Sequence, residues 1–253
     1  MQAAALEAAG FAVRYDRREV APGALLETVE EFRRAQVGGN VTMPHKEAVY
    51  AIAERVSPLA ARIGSVNTFW FEDTLLCGHN TDVAGSLATI RKLCPQELSG
   101  RSAALIGAGG SAAALLVALE LAGCTDIRVW TRTPDRARVL ADRVGVPVQL
   151  ASTAESAING VALVVNASPL GMRDDAMPVD PSLLRAGTAA FDLVYRTGET
   201  AWVRACRERG LHAEDGLRML VEQGAEAFRV WFDVEPSLDA MWSALEQRPW
   251  MHP

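Results

Sequence analysis

Lysine is almost missing from this chain: of 25 basic residues only Lys46 and Lys92 are lysines, and the rest are arginines. A side chain used so rarely invites a separate question at each place it stands. Cysteine is also sparse. Cys77, Cys94, Cys124 and Cys206 are scattered with no Cys-x-x-Cys pair, which excludes a thiol redox motif and a zinc ribbon. Four such thiols fit a reducing cytosol, so a cytoplasmic location is expected. His45, His79, His212 and His252 show no metal-ligand spacing, and no metal is expected. There is no apolar run of membrane-spanning length and no signal peptide at the start, so no membrane partner is expected. With a net charge of −6 and no basic block, no nucleic-acid surface is expected either. What remains is ordinary globular material, 49% hydrophobic and 22% charged. A length of 253 residues suits two domains better than one.

The strongest local signal is Ile106-Gly107-Ala108-Gly109-Gly110-Ser111-Ala112. Ser102 to Ile106 ahead of it is a short apolar run of strand length. Ala113 to Ala122 behind it is rich in helix formers and stops at Gly123. Strand, glycine turn and helix are the context of a dinucleotide fingerprint, and Gly107-x-Gly109-x-x-Ala112 fits its spacing. Glycine lets the chain turn tightly and a pyrophosphate approach the backbone. The helix N-terminus then offers free N–H groups and a positive dipole end.

The next strand selects the dinucleotide. An NAD site places Asp or Glu at its end to bind the ribose 2′-hydroxyl. Here the strand ends Trp130-Thr131-Arg132-Thr133, followed by Pro134-Asp135-Arg136, with no carboxylate at the strand end. Arg132 and Arg136 can instead meet a 2′-phosphate with forked, charge-assisted hydrogen bonds. NADP(H) is therefore expected over NAD(H).

Along the chain, Met1 to Ala9 reads as an uncapped helix ended by Gly10. Phe11, Val13 and Tyr15 alternate as a strand would. Pro22 to Gln36 is an amphipathic helix. A strand is expected at Val37 to Thr42 and a helix at His45 to Val56, with Pro58 beyond its end. Ser65 to Phe71 and Leu75 to His79 read as a hairpin. Asp82 can cap a helix running to about Leu93, and Pro95 to Gly100 links to the nucleotide half. Beyond the fingerprint helix, strands are expected at Asp126–Trp130, Val146–Leu150, Val161–Asn166 and Ala189–Val194. Helices are expected at Pro134–Val144, Glu199–Arg209, Leu217–Phe232 and Pro236–Gln247.

Asn40-Val41-Thr42-Met43-Pro44-His45-Lys46 carries the second chemical signal. Pro44 marks a strand-to-helix corner, so Lys46 falls in a first helical turn. There it is a candidate to exchange a proton with a bound substrate. Asp82, in Gly78-His79-Asn80-Thr81-Asp82, stands at another strand end and is a candidate partner.

Taken together, Asn40-Val41-Thr42-x-Pro44-x-Lys46, Ser65-Val66-Asn67-Thr68, Asn80-Thr81-Asp82 and Asn166-Ala167-Ser168-Pro169-Leu170-Gly171-Met172 occur in this order. With Gly107-Ala108-Gly109-Gly110-Ser111 and Asp215-Gly216-Leu217-x-Met219-Leu220-x-x-Gln223, the sequence resembles the shikimate dehydrogenase family along nearly its whole length. The resemblance implies a reversible, NADPH-linked reduction of 3-dehydroshikimate to shikimate, a step in making aromatic amino acids. It implies Lys46 and Asp82 as the catalytic pair, with Thr42, Asn67, Gln223 and Tyr195 around the substrate ring. It assigns Gly107, Ala108, Gly109, Gly110, Ser111, Ala112, Thr131, Arg132, Thr133 and Arg136 to the cofactor, with Ser168, Leu193 and Gly216 toward the nicotinamide end. Asn is usual where Thr131 stands, and Thr is more usual than Ser168.

The fold implied is α/β with two domains and a cleft between them. An NADP-binding Rossmann domain would cover 82–215, and an α/β substrate-binding domain would combine 1–81 with 216–253. The partner expected is a small-molecule substrate, and a homodimer is compatible with this reading. The family opens with a strand and a His-Ser-x-Ser-Pro loop whose serines hold the substrate carboxylate. The given sequence opens at Met1-Gln2-Ala3-Ala4-Ala5-Leu6, matching the helix after that loop. A start at an internal Met is the favoured reading of this difference, and a chain beginning there is expected to bind shikimate poorly. Two rival functions stay open: a dehydrogenase of quinate or a related cyclic hydroxy acid, and a relative that binds NADP(H) without catalysis.

Overall fold

The computed structural model describes residues 1–96 and 98–246. Contacts divide the chain into two compact units, Met1–Thr81 joined by the chain from Gln223, and Asp82–Glu222.

The first unit begins with α1 (Gln2–Ala8), whose N-cap Met1 makes no side-chain capping bond. The alternation over Phe11–Tyr15 predicts a strand, but residues 11–21 carry neither helix nor strand. Phe11 stacks on Phe232 with centroids 4.5 Å apart and meets Phe228 edge-on at 5.9 Å. Tyr15 lies beside Trp231 and donates to Asn40 Oδ1 at 2.7 Å. Docked rings, rather than a backbone ladder, fix this segment; alternation reveals an apolar period and not a pairing partner.

A single 3-10 turn at Pro22–Ala24 leads into α2 (Leu25–Ala35), which closes at left-handed Gln36. The strand expected over 37–42 shortens to β1 (Gly39–Asn40). The helix expected over 45–56 is α3 (Lys46–Ile52), which gives way to β2 (Arg55–Val56). Pro58 does not merely follow a helix; it opens α4 (Pro58–Ile63) at a position where its missing N–H is harmless. Ser57 Oγ caps that helix by accepting from the Ala60 N–H at 3.1 Å. The hairpin forms as expected from β3 (Thr68–Glu72) and β4 (Leu75–His79). The sheet order is β1-β3-β4-β2, with β2 parallel to β4 and the other pairs antiparallel. Val29, Val49, Ala60, Val66, Phe69 and Leu76 form the core against it.

The second unit alternates helix and strand: α5 (Asp82–Leu93), β5 (Ser102–Ile106), α6 (Ala112–Leu121), β6 (Asp126–Trp130), α7 (Pro134–Val144) and β7 (Gln149–Leu150). Then come α8 (Ala154–Ile158), β8 (Leu163–Asn166), β9 (Ala189–Asp192), α9 (Ala201–Glu208) and β10 (Ala213–Glu214). Helix α8 and strand β10 had no sequence signal strong enough to announce them. All six strands pair in parallel, in the order β10-β9-β8-β5-β6-β7. The order reverses between β5 and β8, which is where doubly wound sheets bind ligands, beyond the strands' carboxyl ends. Strands β8 and β9 are buried throughout, so they read as continuous apolar runs. Helix α6 is buried at every position from Ala112 to Leu119, which explains why it has no polar face.

The chain ends in α10 (Gly216–Phe232) and α11 (Leu238–Glu246). Residues 216–222 of α10 belong to the second unit and those from Gln223 to the first. Trp231 Nε1 donates to the Phe69 carbonyl at 3.1 Å, fastening the end of α10 to β3. The expected last turn at Gln247 and the domain end at 247–253 lie outside the described residues, as does Glu97 of the expected link. No helix among the described residues is long and apolar enough to cross a membrane.

Candidate active site

The glycine turn sits at the carboxyl end of β5, between the ends of β6 and β8. Ile106 is in register with Trp130 on one side and Asn166 on the other. The Gly107 N–H donates to the Trp130 carbonyl at 2.8 Å, and Gly107 has a φ of +107°. A Cβ there would lie 2.9 Å from the Ala167 carbonyl and the Ser168 nitrogen, so only glycine fits. A Cβ on Gly109 would come within 3.0 Å of the same carbonyl. Gly107, Ala108, Gly109, Gly110, Ser111 and Ala112 therefore form a tight cradle opening onto the start of α6. Ser111, the N-cap, makes no side-chain capping bond, so its hydroxyl does not take up the first-turn N–H groups. These features fit an anion held on backbone donors.

Thr131, Arg132 and Thr133 follow β6 directly, and Arg136 lies in the first turn of α7. Both arginines are exposed, and the ion pairs among the described residues do not involve them. Two cations left without carboxylates beside the cradle suit a phosphate bearing more than one negative charge.

At the ends of β8 and β9 the side chains of Asn166 and Asp192 meet, Nδ2 donating to Oδ1 at 2.8 Å. Ser168 is held by Asn166 Oδ1, which accepts from its N–H at 3.0 Å and its hydroxyl at 2.7 Å. The Leu193 N–H donates to the Asn166 carbonyl at 3.0 Å. Gly216 opens α10 against this turn: a Cβ would collide with the Leu193 carbonyl oxygen and come within 3.0 Å of the Tyr195 ring. Burial pushes the Asp192 carboxyl up to about 6, against the opposing effect of its hydrogen bonds to Thr200, Val194 and Asn166. Asp215, just ahead of Gly216, is likewise pushed up to about 6, chiefly by burial.

The first unit contributes a polar cluster around Asn67, which is 1% exposed. Asn67 Oδ1 accepts from the Thr81 N–H at 2.8 Å, while Nδ2 donates to Thr81 Oγ1 and to Gln223 Oε1, each at 3.0 Å. Thr68 Oγ1 donates to Asn67 Oδ1 at 3.1 Å and accepts from Asn40 Nδ2 at 3.0 Å. Two expected substrate residues, Asn67 and Gln223, are thus joined although 156 positions apart. Lys46 is the half-buried first residue of α3, and its carbonyl accepts from the Val66 N–H next to Asn67. Thr42 is exposed in the turn between β1 and α3, beside the cis Met43–Pro44 peptide. Asp82 is the buried first residue of α5, and Tyr195 is half-buried after β9.

Asn166 and Asp192 were not singled out by sequence reasoning as site residues. Each is a polar residue ending an otherwise apolar strand, and Asn166 also opens the Asn166–Met172 motif. The four cysteines are free and buried.

With this geometry in view, comparisons with known proteins locate the chain. Residues 1–69 match the shikimate dehydrogenase substrate binding domain, and 216–246 match the shikimate 5'-dehydrogenase C-terminal domain. Residues 102–180 match a family described as NADP oxidoreductase coenzyme F420-dependent. The chain is 44% identical to a shikimate dehydrogenase (NADP(+)) of Rubrobacter xylanophilus, over 97% of this chain and 89% of that protein. The crystal structure of shikimate dehydrogenase from Aquifex aeolicus superposes with a TM-score of 0.91 at 31% identity, covering 97% and 91% of the two chains. The Thermus thermophilus shikimate 5-dehydrogenase in complex with NADP(H) and shikimate gives 0.86 at 38% identity, covering 97% and 92%. Motifs, parallel sheet order and sequence identity agree along nearly the whole length: the chain belongs to the shikimate dehydrogenase family.

Proposed function

We propose that this chain catalyses the reversible, NADPH-linked reduction of 3-dehydroshikimate to shikimate, on the way to the aromatic amino acids. The observation that carries this reading is family membership over 97% of the chain, in a sequence that retains the residues just described. The substrate is assigned to residues 1–81 with 216–253, and the cofactor to 82–215. Four free thiols are in keeping with work in the cytoplasm.

When bound, NADPH supplies the hydride. The backbone of Gly107–Ala112 receives its pyrophosphate, and Thr131, Arg132, Thr133 and Arg136 receive the 2′-phosphate. Ser168, Leu193 and Gly216 face the nicotinamide. Asn67 and Gln223 each carry amide donors and an acceptor, and their mutual bond fixes both amides in orientation for ring hydroxyls. Thr42 and Tyr195 add hydroxyls to that set. Lys46 donates a proton to the substrate oxygen as it gains negative charge, and takes one back in the reverse direction. Asp82 is the second catalytic group, a buried carboxylate that orders the proton network.

The test is direct. The purified protein is given shikimate and NADP, and the rise in NADPH absorbance is followed, with quinate and NAD in parallel. Shikimate with NADP is expected to be the fastest of the four combinations, whatever its absolute rate. Faster turnover of quinate would move the assignment to that acid. Binding of NADPH with no turnover of either would make the chain a nucleotide-binding relative instead.

A further inference from the structure

Every polar atom of the Asn166 and Asp192 side chains is used, and every partner lies in β8, β9 or the segments that follow them. Both residues are 0% exposed. Asn166 Oδ1 holds the N–H and hydroxyl of Ser168; its Nδ2 donates to the Leu170 carbonyl at 3.2 Å and to Asp192 Oδ1. Asp192 Oδ1 also accepts from the Val194 N–H at 3.0 Å, and Oδ2 accepts from the Thr200 hydroxyl at 2.8 Å. Thr200 in turn caps α9 by accepting from the Val203 N–H. The Val194 carbonyl accepts from the Gly216 N–H at 3.2 Å. One amide and one carboxylate therefore tie three segments together: 168–170, Val194 and the N-cap of α9, with the start of α10 joined through the Val194 carbonyl. The glycine turn joins them through its close approach to Ala167.

A carboxylate removed from water is expensive unless its lone pairs are satisfied, and apolar residues could fill the same space. Here the expense gives direction. Three donors converge on Asp192, from the end of β8, the turn after β9 and the cap of α9, and none of the three could be oriented by apolar packing.

We infer that Asn166 and Asp192 are a positioning pair that sets the nicotinamide-facing segments around Ser168, Leu193 and Gly216. Neither side chain touches the cofactor; each acts through the loops it holds. This inference rests on the cofactor assignment proposed above. Small displacements of such loops have large effects, because binding and reaction both depend on sub-ångström placement.

Three variants test it. Asp192→Ala removes all three acceptor bonds, whereas Asp192→Asn keeps a carbonyl oxygen for the Asn166 and Val194 donors and can donate to Thr200. Asn166→Asp places two carboxyls in contact and removes the donor to Leu170. NADPH affinity is read by cofactor fluorescence, shikimate affinity by calorimetry, and loop order in the cofactor-free protein by amide hydrogen exchange. Asp192→Ala is expected to weaken NADPH by about tenfold or more, the scale of one lost charge-assisted bond, with shikimate affinity nearly unchanged. Asp192→Asn should stay within about threefold of the parent, since most bonds survive. In Asn166→Asp the deficit relative to the parent should shrink from about pH 8 toward about pH 6, as the paired acids share a proton. Asp215 and Cys206, which also lie near Asp192 electrostatically, are common to parent and variant.

Amide exchange at 168–170 and 193–194 should quicken in Asp192→Ala and Asn166→Asp but not in Asp192→Asn. Parent-like NADPH affinity and exchange in Asp192→Ala would overturn the pair; should that variant not fold, a pH-independent deficit in Asn166→Asp would do so. If the parent itself takes no NADPH, the cofactor reading falls. The exchange arm then still decides whether the pair orders these loops.

Discussion

The two sheets of this protein are built on different principles. The middle of the six-stranded parallel sheet is apolar up to its carboxyl end, where Asn166 meets Asp192: β8 and β9 are buried throughout and α6 is buried from Ala112 to Leu119. The four-stranded sheet has two strands of only two residues, and side chains supplement its ladder. Asn40, Asn67, Thr68, Thr81 and Gln223 bond to one another across it. In the assignment proposed above, the first sheet would present backbone to a ligand through glycine turns and loop ends, and the second would present amides, hydroxyls and Lys46. That division matches the chemistry: a dinucleotide's phosphates suit backbone donors, whereas a polyhydroxylated ring needs oriented side chains.

The sharpest test of the division is Lys46→Ala. Its effect should fall on catalysis alone, lowering kcat by roughly 10²-fold or more, the scale of general acid–base catalysis. NADPH affinity, carried by the other sheet, should hardly change. A variant with near-parental kcat would remove Lys46 from the mechanism. Lys92, in the last turn of α5, should be replaceable with little effect.

Next in size is a cavity in the apolar half. Leu115 is 0% exposed at the centre of α6, and Leu115→Ala should destabilise by about 2–5 kcal/mol. Val139, 58% exposed on α7, should change stability by less than about 0.5 kcal/mol when truncated. Chemical denaturation of both variants checks the contrast, and similar losses would mean that α6 is not packed as described.

The same contrast decides what was legible in the sequence. In the parallel half, Asp126–Trp130 and Pro134–Val144 were read to the residue, because apolar period, proline and glycine all mark the same boundaries. In the smaller half the strand expected at Phe11–Tyr15 is absent and the helix expected through Val56 yields to β2. There the pattern is decided by partners distant in sequence: rings from α10, and the Glu54 N–H and Glu54 carboxylate bonding the Leu76 backbone. The individual residues of the proposed site come from motifs. Their mutual arrangement was not legible: nothing near Asn67 in sequence announces Gln223, and nothing near Asn166 announces Asp192.

Cofactor choice comes third. Replacing Arg132 and Arg136 by Ala should raise KM for NADPH and leave that for NADH nearly alone. The loss should be about 1.5–3 kcal/mol for each charge-assisted contact removed. Equal weakening toward both nucleotides would show that the arginines do not read the phosphate. In the other sheet, Asn67→Ala should destabilise by about 1–3 kcal/mol, because the buried Thr81 N–H loses its acceptor. Thermal melting measures this, and an unchanged midpoint would show the amide cluster to be dispensable for folding.

The smallest effect concerns the carboxyls of the parallel half. Asp215 is pushed up to about 6, first by burial; the Leu217 N–H and Arg207 act against this, while Glu214 and Asp192 add to it. An unfolded chain would release that proton near the ordinary value of about 3.9. Between these limits the folded protein holds a proton that the unfolded one has lost. The contribution of this carboxyl to stability is therefore fully present below about pH 4, is lost as pH rises toward about 6, and then levels off. Asp192, raised to about 6 as well, acts with the same sign in the same window. Asp215→Asn cannot ionise, yet its carbonyl can still accept from the Leu217 N–H, now at 3.0 Å from Oδ1. At pH 7 the variant should match or exceed the parent by about 1–2 kcal/mol, with the difference shrinking toward pH 4. Its own stability should still fall with pH through the Asp192 carboxyl, but by about half as much from these two groups. A parent–variant difference that stays constant from pH 4 to pH 7 would mean that burial at Asp215 does not oppose its ionisation.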